Sequence, residues 1–154
     1  MATQKILLPY NFTTHDRKAM DFVIRLFAHQ NDVAVTIFAA YTPVPEIKTG
    51  GAPLMEKLNS GLIHLQQQNN DLKANLQDAV QILIKCGFSK DCVSFIFKPR
   101  KMNIASEIIQ LVKIEHFNIV VVNHKPGKAT HFFTGNVFSK IINALSDTCI
   151  CVVT

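Results

Sequence analysis

The stretch VVVNHKPGKATHFFTGNVFSK, residues 120–140, decides how the rest of the chain is read. An apolar run stops at Asn123. A polar loop with one proline and one glycine follows. Gly135-Asn136 then opens a segment in which Val137, Ile141 and Leu145 recur at helical spacing. Strand, loop and helix in that order form the unit that many proteins use to hold a phosphate at a helix N-terminus.

Strands and helices alternate along the rest of the chain, with no internal sequence repeat. Upstream, Phe117–Val122 is the strand itself. Before it, Ile104, Ile108, Ile109 and Val112 mark a helix with Asn103 as its cap. Cys92–Phe97 is a further strand, and Gly87 stops a long helix whose apolar face is Leu58, Leu62, Leu65, Leu72, Leu76, Ala79 and Leu83. That helix would be about 45 Å long at 1.5 Å per residue. It is expected to break near Asn59-Ser-Gly61 or to project beyond the domain. Thr42–Pro53, rich in proline and glycine, is a loop. Val33–Tyr41 is an almost wholly apolar strand. The N-terminal unit is the strand Lys5–Pro9, then a helix capped by Thr13 or Thr14. Asp16 suits that helix's positive first turn, and Ala19, Val23, Leu26 and Phe27 line its inner face. Cys149–Val153 closes the chain as a fifth strand.

Alternating β and α elements with continuous apolar strands imply an α/β fold, an open parallel five-stranded sheet with helices on both faces. Ligands in such folds lie at the C-terminal strand ends, where the strand order reverses. The 154 residues fit one domain spanning 1–154. With 48% hydrophobic and 18% charged residues, a globular chain is expected. MATQKILLPYN lacks the features of a signal peptide, and no apolar run reaches the roughly 18 residues of a membrane span, so a cytoplasmic location is expected. The formal charge of +5 favours anionic partners weakly, and Lys98–Lys101 is the dense basic run. Without interleaved aromatics, nucleic acid is an unlikely partner by this reading. The four cysteines read as reduced, buried structural thiols, with Cys149 and Cys151 expected on opposite faces of the last strand. No metal site is expected from the scattered histidines.

On three marks the sequence resembles the universal stress protein family. These are Ile6-Leu-Leu-Pro-Tyr-Asn-Phe-Thr13, then Asn118-Ile-Val-Val-Val-Asn123, then Gly135-Asn136-Val137 with the closing strand Cys149–Val153. The resemblance covers essentially the whole chain. It implies the Rossmann-like strand order 3-2-1-4-5, a stress-response role, and a homodimer formed through the last strand, 149–153. Some members bind ATP through a loop written G-x2-G-x9-G-[S/T/N], with an Asp at the end of the first strand. The resemblance therefore makes ATP the candidate cofactor.

This chain departs from that pattern. Asn123 and Pro126 stand where the first two glycines belong. Eight residues separate Pro126 from Gly135, one short of the pattern. Asn11 stands in place of the Asp. Glycines let backbone approach phosphate without a Cβ clash, and proline removes a donor. The loop is therefore a degraded nucleotide loop in which Gly135-Asn136 survives as an anion site. The candidate binding residues are Pro9, Tyr10, Asn11, Phe12, Thr13, Ala40, Tyr41, Asn123, His124, Lys125, Gly127, Gly135, Asn136 and Val137. Phe132 and Phe133 could cover them. No nucleophile elbow, Cys/His pair or paired carboxylates mark catalysis. The sequence thus points to a non-catalytic stress-response binding or interaction module. Its alternative is an ATP-binding stress protein with weak ATPase activity.

Overall fold

The computed structural model describes residues 2–11, 13–45, 53–123 and 135–154, with backbone alone for 53–57 and 135–138. The elements run β1 (Gln4–Pro9), α1 (Thr14–Phe27), β2 (Val33–Tyr41), α2 (Pro53–Lys85), β3 (Val93–Pro99), α3 (Ile104–Glu115), β4 (Ile119–Asn123), α4 (Gly135–Ala144) and β5 (Cys149–Val153). All strand pairs are parallel, and the order is β3-β2-β1-β4-β5, as the family resemblance implies.

The apolar strands are explained by two cores, one on each face. Ile6 and Leu8 of β1 join Val35 and Ile37 of β2 beneath Ala19, Met20 and Val23 of α1 and Leu76, Ala79 and Leu83 of α2. Leu7, one residue out of phase, points to the other face with Phe38, Val120 and Val122. There it meets Ile104, Ile108 and Leu111 of α3 and Ile141 of α4. Period-two alternation distributes one strand between both layers, so the strands are apolar on both faces; the buried polar side chains Thr36 and Asn123 are each hydrogen-bonded. Each large aliphatic side chain buried this way contributes about 1.5–3 kcal/mol.

Local signals fix the helix ends. Asn103 caps α3, its side-chain oxygen accepting from the Ser106 backbone N–H at 2.9 Å. Gly87 has φ +117° and ends α2. The Phe88 N–H returns to the Leu83 carbonyl and the Gly87 N–H to the Ile84 carbonyl, both at 3.2 Å, the bond pair of a Schellman stop. At the end of α3, His116 takes the left-handed conformation instead, with φ 57°.

Helix α2 runs unbroken for 33 residues, about 50 Å, with no interruption at Asn59-Ser-Gly61. Of its sequence-predicted face Leu76, Ala79 and Leu83 are buried, Leu62, Leu65 and Leu72 are half-buried, and Leu58 is exposed. The helix therefore projects, which the alternative expectation anticipated. Asn69 ties it to the β2 exit by donating to the Thr42 carbonyl at 2.9 Å.

The cysteine expectations need correction. Cys86 and Cys149 are exposed rather than buried, and Cys92 and Cys151 are half-buried. Residues two apart in a strand share a face, so Cys149 and Cys151 lie side by side, with Sγ atoms 3.9 Å apart.

Candidate functional site

The chain steps from β3 across β2 and β1 to β4, so the direction of strand addition reverses between β1 and β4. The end of β1 (Pro9, followed by Tyr10 and Asn11) and the end of β4 (Asn123) flank that reversal. Pairing of Ile6 with Ile119 and of Leu7 with Val120 holds the two strands side by side. The end of β2, with Ala40 and Tyr41, lies on the other side of β1, and the Tyr10 N–H reaches the Phe38 carbonyl at 2.7 Å. Tyr41 is half-buried against Phe97, their ring centroids 4.6 Å apart.

Asp16 is the hub of this region. Its side chain has no solvent exposure. Oδ2 accepts the backbone N–H of Asn11 at 2.9 Å and that of Thr13 at 2.7 Å. Oδ1 accepts the side-chain amide of Asn123, itself 5% exposed. The Thr13 contact is the reciprocal half of a capping box, in which the third helical residue reaches back to the N-cap. The Asn123 contact spans 107 residues and joins the start of α1 to the end of β4 across the strand reversal. Burial pushes the Asp16 carboxyl up from its ordinary range, and the bonds from Thr13, Asn11 and Asn123 offset part of that rise. Tyr10 is pushed up as well, first by burial and then by the negative charge of Asp16.

Of the candidate residues, Tyr10, Asn11, Thr13 and Asn123 are thus gathered around one carboxylate, with Pro9, Ala40 and Tyr41 beside them. The backbone of Gly135, Asn136 and Val137 forms the first turn of α4. Phe12, His124, Lys125 and Gly127 lie outside the described residues, as do Phe132 and Phe133. Asp16 was not among the candidates. The Thr13-x-x-Asp16 spacing was the available signal, and it points to a helix cap rather than to Asn123.

The geometry sets the chemistry. The amides at the entrance of α1 that would greet an anion already hold an internal carboxylate. That carboxylate repels a second negative charge brought close to it, strongly so where water is excluded. The Asn123 side chain occupies the β4 exit, where a glycine would leave room for a ligand to approach the backbone.

A second feature lies away from the strand reversal. A cavity of about 330 Å³ beside α3 is lined by Lys98, Lys101, Met102, Glu107, Gln110 and Ile114, among others. Its carboxylate is committed. Buried Glu107 pairs with the Lys98 ammonium at 2.7 Å and accepts the Lys101 and Met102 backbone N–H groups at 2.8 and 3.1 Å. Burial alone would push Glu107 up, but these partners prevail and hold it below the ordinary carboxylate value. The pair staples β3 to α3.

No protein-family model matches the chain. No curated relative matches it either. Solved structures do. The chain superposes on the universal stress protein UspA from Lactobacillus plantarum with a TM-score of 0.67 at 13% identity, covering 100% of this chain and 99% of that one. A universal stress protein in complex with cAMP matches at 0.64 and 14%, covering 100% and 98%. The universal stress protein from Archaeoglobus fulgidus in complex with dAMP matches at 0.61 and 14%, covering all of both chains. At such identities the shared property is the fold. Among the described residues, no helix is long and apolar enough to cross a membrane.

Proposed function

We propose that this chain, which has the fold of the universal stress proteins, works as a non-catalytic binding module in a stress response, with its triphosphate site lapsed. The observation that carries this reading is the bond between Asp16 and Asn123. It places a buried carboxylate and a side-chain amide at the strand reversal, where a nucleotide's phosphates would need open backbone and positive potential. Turnover of ATP would further need a metal-bound triphosphate and a positioned water. Asp16, the carboxylate that the described residues place at the strand reversal, already accepts from three donors.

The module acts as a homodimer in this reading. Strand β5 ends the sheet, and it carries the exposed Val152 next to a half-buried Ile150. An apolar edge strand is a template for pairing with a second copy. Sedimentation should give about twice 17.2 kDa. Val152→Asp, at an already exposed position, should return the monomer while the circular dichroism stays unchanged. A monomer at micromolar concentration in the unmodified protein would refute the dimer.

A second reading has its own support. Two proteins of this fold are in complex with cAMP and dAMP, both monophosphates. In that reading Tyr10, Asn11, Ala40 and Tyr41 receive the nucleoside, and the backbone of Gly135–Val137 receives one phosphate at the positive end of α4. Calorimetry with AMP and ATP in parallel separates the two. No heat from either supports the lapsed site. Micromolar AMP binding with no ATP binding supports the monophosphate reading. Micromolar ATP binding overturns the first proposal.

A further inference from the structure

The cysteines of β5 are not used by any part of the reading above, and their arrangement differs from that of buried structural thiols. Cys149 and Cys151 sit on one face of a strand at the end of the sheet, with Sγ atoms 3.9 Å apart. Cys149 is exposed, so the pair opens to solvent, while Cys151 packs partly into the core on the α1 side of the sheet. Backbone pairing holds the two residues in register. Cys149 lies opposite Ile119 and Cys151 opposite Val121, and the Cys149 N–H donates to the Asn118 carbonyl at 2.8 Å. The spacing of the two sulfurs is therefore set by the sheet and not by a mobile loop.

That spacing has a chemical meaning. With metal–sulfur bonds of about 2.3 Å, two sulfurs 3.9 Å apart subtend a sulfur–metal–sulfur angle of roughly 116°. This falls between the tetrahedral and trigonal values, so one ion fits without moving the backbone. Among the described residues no group of three or more His, Cys, Asp or Glu side chains comes together. Zinc prefers four ligands, and two thiols do not provide them. Soft monovalent copper, for which thiolates are the preferred donors, takes two on a line or three in a plane, and at this angle the pair supplies two corners of the plane.

We propose that Cys149 and Cys151 form a dithiolate site for a soft monovalent metal ion of the Cu(I) class, exposed on the β5 edge. Binding replaces the two thiol protons with one ion and releases both protons to solvent. The centre formed has a net charge of −1, from one Cu⁺ and two thiolates. There is no change of oxidation state, so the ion must arrive already reduced. An external thiol completes the third position on the face of β5 where Cys149 is exposed, and edge-to-edge pairing of β5 with a second copy uses the backbone edge rather than this face.

The test uses the whole chain, kept reduced and anaerobic, titrated into a coloured Cu(I)–bicinchoninate complex. The expected result is transfer of one Cu(I) per chain. Cys149→Ser and Cys151→Ser should each weaken capture at least tenfold, while Cys86→Ser, at an exposed cysteine outside the pair, should leave it unchanged. Serine at Cys149 is near-isosteric and exposed, and circular dichroism checks that both variants fold. Three results would overturn the proposal: no transfer, transfer insensitive to Cys149→Ser, or capture that also depends on Cys86. Stoichiometric zinc retained through a chelating column would overturn the choice of ion, because it would require ligands beyond these two.

Discussion

Removing the carboxylate of Asp16 should destabilise the protein far more than neutralising it. In Asp16→Ala three donors lose their acceptor: the backbone N–H groups of Asn11 and Thr13 and the side-chain amide of Asn123. Thr13 is exposed and Asn11 half-buried, so water can reach those two groups. The Asn123 amide is 5% exposed and cannot be rehydrated without opening the strand reversal. An orphaned buried donor costs about 1–3 kcal/mol. Loss of the helix-capping contact adds about 1 kcal/mol. Relief from burying a charge offsets part of the sum, leaving about 2–3 kcal/mol. Asp16→Asn behaves differently. Its oxygen can still accept both backbone groups, and its amide can donate to Asn123 once the Asn123 amide turns over by 180°. The cost should stay under about 1 kcal/mol. Urea unfolding at neutral pH, followed by circular dichroism, measures both variants against the wild type. The pH dependence gives a second check. Because burial raises the folded-state pKa of Asp16, the native state holds more protons than the unfolded chain between about 3.9 and the raised value. Its contribution to stability is then greatest below that window and declines as pH rises through it. Asp16→Asn should therefore gain on the wild type as pH rises. Equal losses in Asp16→Ala and Asp16→Asn, or a wild-type advantage that grows with pH, would refute the reasoning.

The remaining predictions concern single sites. Glu107→Gln should cost about 1–2 kcal/mol at neutral pH, discounted because Lys98 is a third exposed and can turn to water. Glu107 is held below its ordinary value, so its contribution is present above about pH 4.3 and fades as pH falls through the folded value; the variant's deficit should shrink in acid, read by urea unfolding at several pH values. Gly87→Ala should lower stability by about 1–2 kcal/mol, because φ is +117° and the new Cβ would lie 3.2 Å from the Ala28 carbonyl oxygen. Gly61→Ala should instead stabilise by up to about 1 kcal/mol, since a Cβ there meets nothing within 4 Å inside a helix. The two glycine variants are best compared by thermal melts, and a loss at Gly61 would contradict the unbroken α2.

The fold was legible because its signals are local or periodic. The bounds of β2 and β5 read from apolar runs match the structure, and Asn103 and Gly87 end their helices by the interactions their chemistry suggests. The stop of α3 at His116 was not legible, since a left-handed histidine carries no signal comparable to glycine. Of the two expectations for α2, a break near Gly61 or a projecting end, the break is absent because one glycine lowers helix propensity by only about 1 kcal/mol, less than its neighbours supply. At the strand reversal, the positions of Tyr10, Asn11 and Asn123 at strand ends were legible, and the structure brings them together around Asp16. Asp16 was read as a helix-dipole residue, and its bond to Asn123 connects positions 107 apart. No local pattern encodes a contact set by the crossover from β3 to β4. The cysteines failed for a simpler reason. Hydrophobic character predicts burial, but the edge strand β5 leaves part of its face uncovered at Cys149, the end of α2 leaves Cys86 exposed, and residues two apart in a strand share a face.

The central claim is that the strand reversal is closed to triphosphate by the Asp16–Asn123 bond. The most direct measurement denatures the purified protein, looks for released nucleotide by mass spectrometry, and then titrates ATP by calorimetry into the wild type and Asn123→Gly. The account predicts no ATP carried through purification and no heat from the wild type, with measurable heat appearing once the amide is removed. Stoichiometric ATP released from the wild type, or micromolar binding unaffected by Asn123→Gly, would contradict it.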